Sequence, residues 1–166
     1  MRKRLIAIAG ALALLCSAAC TDDRGPDSAE AALTTLRQAV ATADGSTIYR
    51  LYDVESRGYF RDQVRAWRAA VDGGKPIEEV LPETLDWSRE LLLDGTEEEA
   101  TTRLLARHSS FAVLGDWFQE AVVVGREESV PGEARLELEG PDGQVRSIWF
   151  VEQAGGWAYD HYRSRW

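Results

Sequence analysis

Asp160 and His161 stand side by side, a carboxylate next to an imidazole, the two groups that most often share general acid–base work. They lie in a stretch, Trp157 to Tyr162, whose composition reads as an extended strand. A strand sends neighbouring side chains to opposite faces, so the pair is not a ready-made dyad. Trp157, Tyr159 and His161 share one face; Ala158, Asp160 and Tyr162 share the other. Asp160 and His161 are therefore the catalytic candidates, one pointing inward and one outward; the more ordinary reading is that both are sheet-surface or strand-end polar groups. Tyr52 and Tyr59 add two phenols to the residues that could meet them. Trp149 and Trp157, two of six tryptophans, are expected to face each other or stack across the last hairpin. With Tyr52 and Tyr59 they could line a pocket for an apolar or sugar ligand; the competing reading is an aromatic core. His108 closes a predicted helix, where an imidazolium suits the dipole. Glu97-Glu98-Glu99 opens that helix and could bind a hard cation, though acids there more often complement the helix dipole. Two distant histidines without a cysteine ligand imply no metal site. The sequence carries no nucleophile elbow, P-loop or dinucleotide glycine motif, and no cofactor is expected.

A different chemistry is written at the start of the chain. Arg2, Lys3 and Arg4 precede an uncharged apolar run from Leu5 to Cys16, then Ser17, Ala18, Ala19 and Cys20. Basic, apolar and small-residue regions in that order make a secretory signal. The run has 12 residues, and a membrane-spanning helix needs roughly 20. Ser17-Ala18-Ala19-Cys20 resembles the lipobox of bacterial lipoproteins, with Ser17 where Leu is usual. Cys16 fits less well, because Leu14 and Leu15 stand where small residues belong. The resemblance implies cleavage before Cys20 and its lipidation; the alternative is an A-x-A-type cleavage that leaves a soluble periplasmic protein. Lipoproteins of this kind carry two or more acyl chains, and at about 0.8 kcal/mol per buried CH₂ two chains hold a protein on a membrane where one does not. Thr21, in place of Asp, favours the periplasmic face of the outer membrane by the same resemblance.

On this reading residues 1–19 are the signal, residues 20–26 the lipidated Cys20 and a short tether, and residues 27–166 one domain. Six tether residues, fully extended, reach only about 20 Å. Removing the signal takes away Arg2, Lys3 and Arg4 and no acid, moving the net charge from −9 to −12. So acidic a domain repels phosphate backbones, and nucleic acid is excluded as a partner. No thiol survives once Cys16 is discarded and Cys20 carries lipid, which removes disulfides and thiol nucleophiles.

The elements that position the candidates follow from periodicity. Asp27 with Glu30 fits a capping box, and Ala29, Ala32, Leu33, Leu36, Val40 and Ala43 follow at helical spacing up to Asp44-Gly45. Ser46 is expected to cap a shorter segment bearing Ile48, Leu51 and Tyr52. A third helix is expected from about Ser56 to Val71, with Tyr59, Phe60, Val64, Trp67 and Val71 on its apolar side, broken by Gly73-Gly74-Lys75-Pro76. Pro82 suits the first turn of a helix carrying Leu85, Leu91 and Leu92. Thr96 caps a helix from about Glu97 to His108; from Ser109 to Phe118 helix and loop are equally open. Strands follow: the β-branched run Ala121 to Val124, the alternating Arg135 to Glu139, and Val145 to Glu152, apolar on both faces and hence central. Pro141-Asp142-Gly143 and Ala154-Gly155-Gly156 are turns. Helices first and strands last predict an α+β domain, N-terminal helices packed on a C-terminal curved antiparallel sheet.

This layout resembles the nuclear transport factor 2-like superfamily, also called SnoaL-like or cystatin-like. Asp27–Ala43 followed by Asp44-Gly45 and a tyrosine-bearing segment carries the resemblance, together with the ending GQVRSIWFVEQAGGWAYDHY. It implies a cone, a curved sheet closed over helices with a pocket at the wide end. Some members are isomerases, cyclases or dehydratases and many only bind, so the fold does not choose the function. The expectation is a lipid-anchored envelope protein that binds a small apolar ligand or an envelope protein, leaning away from catalysis. The alternatives are a SnoaL-like enzyme using the cone pocket and a structural subunit of an envelope complex.

Overall fold

A computed structural model describes residues 25–81 and 89–164, with the side chain of His108 left out. Cys20 and its neighbours, the Pro82 helix start with Leu85, and Trp87 and Trp166 lie outside the described residues. Helices α1 (Ala29–Ala41), α2 (Gly45–Leu51), α3 (Val54–Asp72), α4 (Ile77–Val80), α5 (Arg89–Leu93), α6 (Glu97–His108), α7 (Ser110–Leu114) and α8 (Asp116–Glu120) come first. Strands β1 (Val122–Val130), β2 (Glu133–Glu139), β3 (Val145–Gln153) and β4 (Gly156–Asp160) follow. They form an open antiparallel meander in the order β1-β2-β3-β4. The domain is α+β with its helices N-terminal to the sheet, and β3 is central.

The helix starts show how local signals compete. Ser28, not Asp27, caps α1: its backbone is extended and its hydroxyl accepts the Ala31 N–H. Glu30, expected to close a box with Asp27, instead reaches Arg126 on β1 at 2.7 Å. Asp44, not Ser46, caps α2, because its carboxylate accepts both the backbone N–H and the hydroxyl of Thr47. α3 begins two residues before Ser56, since the buried Asp53 accepts the Ser56 N–H at 2.8 Å. Thr96 and Glu99 form the complete capping box of α6. The open segment after Ser109 is helical, divided at Gly115, whose φ of 51° no helix can include.

β2 alternates as expected, turning Ala134, Leu136 and Leu138 into the core. They meet Leu33 and Leu36 of α1, Ile48 and Tyr52, and Phe111 and Phe118 of α7 and α8. Each fully buried side chain of this size contributes about 1.5–3 kcal/mol. A second cluster, with Val64, Val71, Leu92 and Leu104, holds α3, α5 and α6 together. The join between α2 and α6 depends on Gly45: a Cβ there would lie 1.8 Å from the Thr102 carbonyl oxygen. β1 is the exception. It runs to Val130, well beyond the Ala121–Val124 patch, and exposes Val122, Val123, Val124 and Val130.

Candidate functional site

β4 stops at Asp160, one residue short of His161 and two short of the expected end at Tyr162. Asp160 and His161 point apart, as side-chain alternation predicts. The Asp160 carboxylate accepts the Arg163 backbone N–H at 3.0 Å and pairs with the Arg163 guanidinium at 3.2 Å. His161 turns toward the helices, its backbone N–H donating to the Ser56 hydroxyl at 3.1 Å. Its ring lies parallel to Tyr52 (centroids 6.1 Å, 12° between planes) and to Tyr59 (6.3 Å, 26°), and 4.9 Å from Phe60. Tyr159 and Tyr162 complete the surround at 6.3 and 6.2 Å. Tyr52, Tyr59 and His161 therefore converge, while Asp160 faces elsewhere. The convergence is made by Tyr52 at the end of α2, by the first turns of α3, and by the backbone bond from Asp53 N–H to the Tyr159 carbonyl at 2.9 Å.

This cluster is built as packing. Tyr52 and Tyr159 are fully buried, 5.0 Å apart, and Tyr52 also packs 5.4 Å from Phe60. Neither hydroxyl has a hydrogen-bond partner among the described residues. Burial pushes the Tyr52 phenol well above its ordinary value, and the neighbouring Tyr159 adds to the rise. Tyr159 is raised by burial too, opposed in part by the Ser164 and Ser110 hydroxyls. Phenols held neutral in this way do not act as bases.

Trp149 and Trp157 do not face each other. In the β3–β4 register Trp149 pairs with Asp160, whereas Trp157 pairs with Glu152 beside the Phe150–Tyr159 pair. Directly paired residues share a face, so the two tryptophans lie on opposite sides of the sheet. Trp149 sits on the outer side, 5.9 Å from the Arg135 guanidinium and 5.6 Å from that of Arg163. Trp157 packs at the edge of the main core. Glu97 pairs with Arg65 at 2.8 Å and Glu99 is held by the Thr96 cap, so both are engaged in structure. Among the described residues no group of three or more His, Cys, Asp or Glu side chains could hold a metal ion. Among them, too, no helix is long and apolar enough to cross a membrane.

A cleft of about 550 Å³ lies beside Tyr52, bounded by the end of α2, the start of α3, the β3–β4 turn and residues Gly25 and Pro26. That volume falls within the range of small-molecule sites. Arg50, Arg57, Thr35, Thr47 and Gln153 give it polar groups; Leu51, Val54 and Trp157 give it apolar wall. Pro26 is tied to the sheet by the Trp157 N–H, which donates to its carbonyl at 2.9 Å. Gln153 accepts the Val54 N–H at 3.2 Å, satisfying one orphan donor at the start of α3. Of the four expected pocket residues, Tyr52 and Trp157 line this cleft, and Tyr59 and Trp149 lie outside it. Arg50 and Arg57 carry no sequence signal: they read as ordinary solvent-facing helix residues, and only the meeting of α2, α3 and β4 brings them to one space.

Comparison with known proteins finds no family model, curated protein or solved structure that matches this chain.

Proposed function

We propose that this chain is a lipid-anchored binding module of the bacterial cell envelope, working without catalysis on a nuclear transport factor 2-like scaffold. One observation carries the binding half. His161 and the phenols around it are packed ring against ring and Asp160 is paired with Arg163, whereas the open cleft is lined by arginine, hydroxyl, amide and tryptophan side chains, which suit recognition. The scaffold assignment draws support from the helices-first order, the antiparallel meander and the aromatic last hairpin. The anchor rests on Ser17-Ala18-Ala19-Cys20, with the periplasmic face of the outer membrane as the favoured site. Labelling cells with a radioactive fatty acid should mark the protein and the mark should vanish in Cys20→Ala; label that persists would sink the anchor.

The second reading is a SnoaL-like enzyme, and the approach of Tyr52 and Tyr59 to His161 is what favours it. Tyr59 is 45% exposed, so that cluster meets solvent on one side. The two readings separate on His161→Gln. In a binding module, ligand affinity survives and only stability falls. In an enzyme, turnover is lost while the fold holds.

A further inference from the structure

We propose that the cleft between α2, α3 and the β3–β4 turn is a site for a small amphipathic anion. Arg50 and Arg57 hold its carboxylate or phosphate head, and Leu51, Val54 and Trp157 take its apolar body. This deepens the binding-module reading and rests on it, but it does not depend on the lipid anchor.

The charge pattern is the first support. The chain has 28 Asp and Glu against 19 Lys and Arg. Carboxylates should therefore appear on nearly any patch of this surface. Among the described residues the cleft lining has two arginines and no Asp or Glu. A cationic concavity on an anionic body draws anions inward while the rest of the surface repels them, so the field itself selects where they bind.

The state of Arg57 is the second support. The half-buried Arg37 donates to the carbonyls of Phe118 and Ala121, and Arg135 pairs with Glu127 at 2.7 Å. Arg57 is also half-buried. Its guanidinium lies 5.9 Å from the Tyr49 ring centroid, and it makes no hydrogen bond or ion pair among the described residues. The ring steadies the cation from one face and leaves its in-plane N–H fork for an oxyanion, the geometry in which arginine binds carboxylate and phosphate. Arg50 is oriented by the Thr47 hydroxyl, which accepts its Nη2–H at 3.0 Å and donates to Asp44 at 2.7 Å. The Asp44 carboxylate stands behind Thr47 as a nearby opposite charge to Arg50, so Arg57 is the stronger of the two.

The apolar wall sets the other half of the ligand. Val54 is 65% exposed at the cleft edge, with Leu51 and Trp157 beside it. A wholly polar anion would leave this wall wet, and a neutral apolar molecule would leave the Arg57 fork unused.

The test is calorimetric titration of the full chain as cells produce it, in lipid nanodiscs where it carries lipid and in buffer where it does not. The probes are octanoate, octylphosphonate, octanol and octylammonium. The expected result is saturable binding of octanoate, octylphosphonate or both, and at least tenfold weaker binding of octanol and octylammonium. Preference for octanoate identifies a free carboxylate ligand; preference for octylphosphonate identifies a phosphate head such as a lipid carries. Arg57→Gln should weaken the anion at least tenfold, Arg50→Gln about threefold, and both should leave the thermal midpoint unchanged. If Arg57→Gln unfolds, Arg57→Lys, which keeps charge but loses the fork, should give an intermediate loss. Octanol binding as tightly as octanoate overturns the anion site while leaving a binding module in place. Anion affinity indifferent to both arginines overturns it too. No binding of any probe overturns the site, and the module reading then stands or falls on whether a ligand co-purifies.

Discussion

Tyr52 belongs to two regions built on opposite principles. Its ring joins Tyr159, Phe60 and His161, all within 6.1 Å, in an interior filled by aromatic packing. The residue also forms part of the wall of a 550 Å³ cleft edged by arginines. The interior holds His161 and the phenols of Tyr52 and Tyr159 packed ring against ring. The cleft has no reactive group, yet it has the unfilled space and the unspent donors. Residue type marks where chemistry is possible; packing decides whether there is room for a second molecule.

The contrast breaks most sharply at Phe150, which is fully buried beside Tyr159. Phe150→Ala should cost about 4 kcal/mol in urea unfolding, and folded protein should still bind at the cleft; loss of affinity at equal folded fraction would mean the regions are coupled. Gly45→Ala comes next, at about 2 kcal/mol. Its new Cβ strikes the Thr102 carbonyl, shifting the helix that carries both Arg50 and Tyr52, so stability and ligand affinity should fall together. Affinity that falls alone would place Gly45 in the cleft and not in the helix join.

Alkaline pH tests the interior by itself. Burial raises the folded-state values of Tyr52 and Tyr159, so above pH about 10 the unfolded chain loses protons that the folded chain keeps. Stability is complete below that pH and falls above it, by up to about 1.4 kcal/mol per pH unit for each phenol. Urea midpoints at pH 9 and 11 should differ accordingly, and Tyr52→Phe should flatten the slope. The smallest effect has the opposite sign. Both hydroxyls are buried without a partner among the described residues, so Tyr52→Phe and Tyr159→Phe should each stabilise by up to about 1 kcal/mol at neutral pH. A loss of stability in either would show that its hydroxyl is bonded, for instance to a water.

Much of the layout is legible in short stretches of sequence. Thr96 signals the start of α6, and Glu97 to His108 are its bounds, because a cap is made within a few residues. The alternation of β2 and the central position of β3 follow equally from side-chain polarity along single strands. The expected caps at Asp27 and Ser46 give way where two candidates compete. Arg126, 96 residues away, takes Glu30, and Asp44 offers two acceptor oxygens where Ser46 offers one. The expected facing of Trp149 and Trp157 fails on register, since sharing a hairpin does not put two residues on one face.

Periodicity, caps and side-chain type over short spans are enough to set the order of the elements, the α+β class and the candidates Tyr52, Tyr59 and His161. Strand alternation also parts His161 from Asp160, but none of these patterns reaches far enough to pack the phenols and hold them neutral, or to bring Arg50 and Arg57 into one cleft with Trp157, whose described lining has no Asp or Glu. Those outcomes belong to the folded molecule, because they depend on how α2, α3 and the last hairpin meet. Contacts between residues about 100 apart in the chain are set by the whole packing, and no local pattern encodes them.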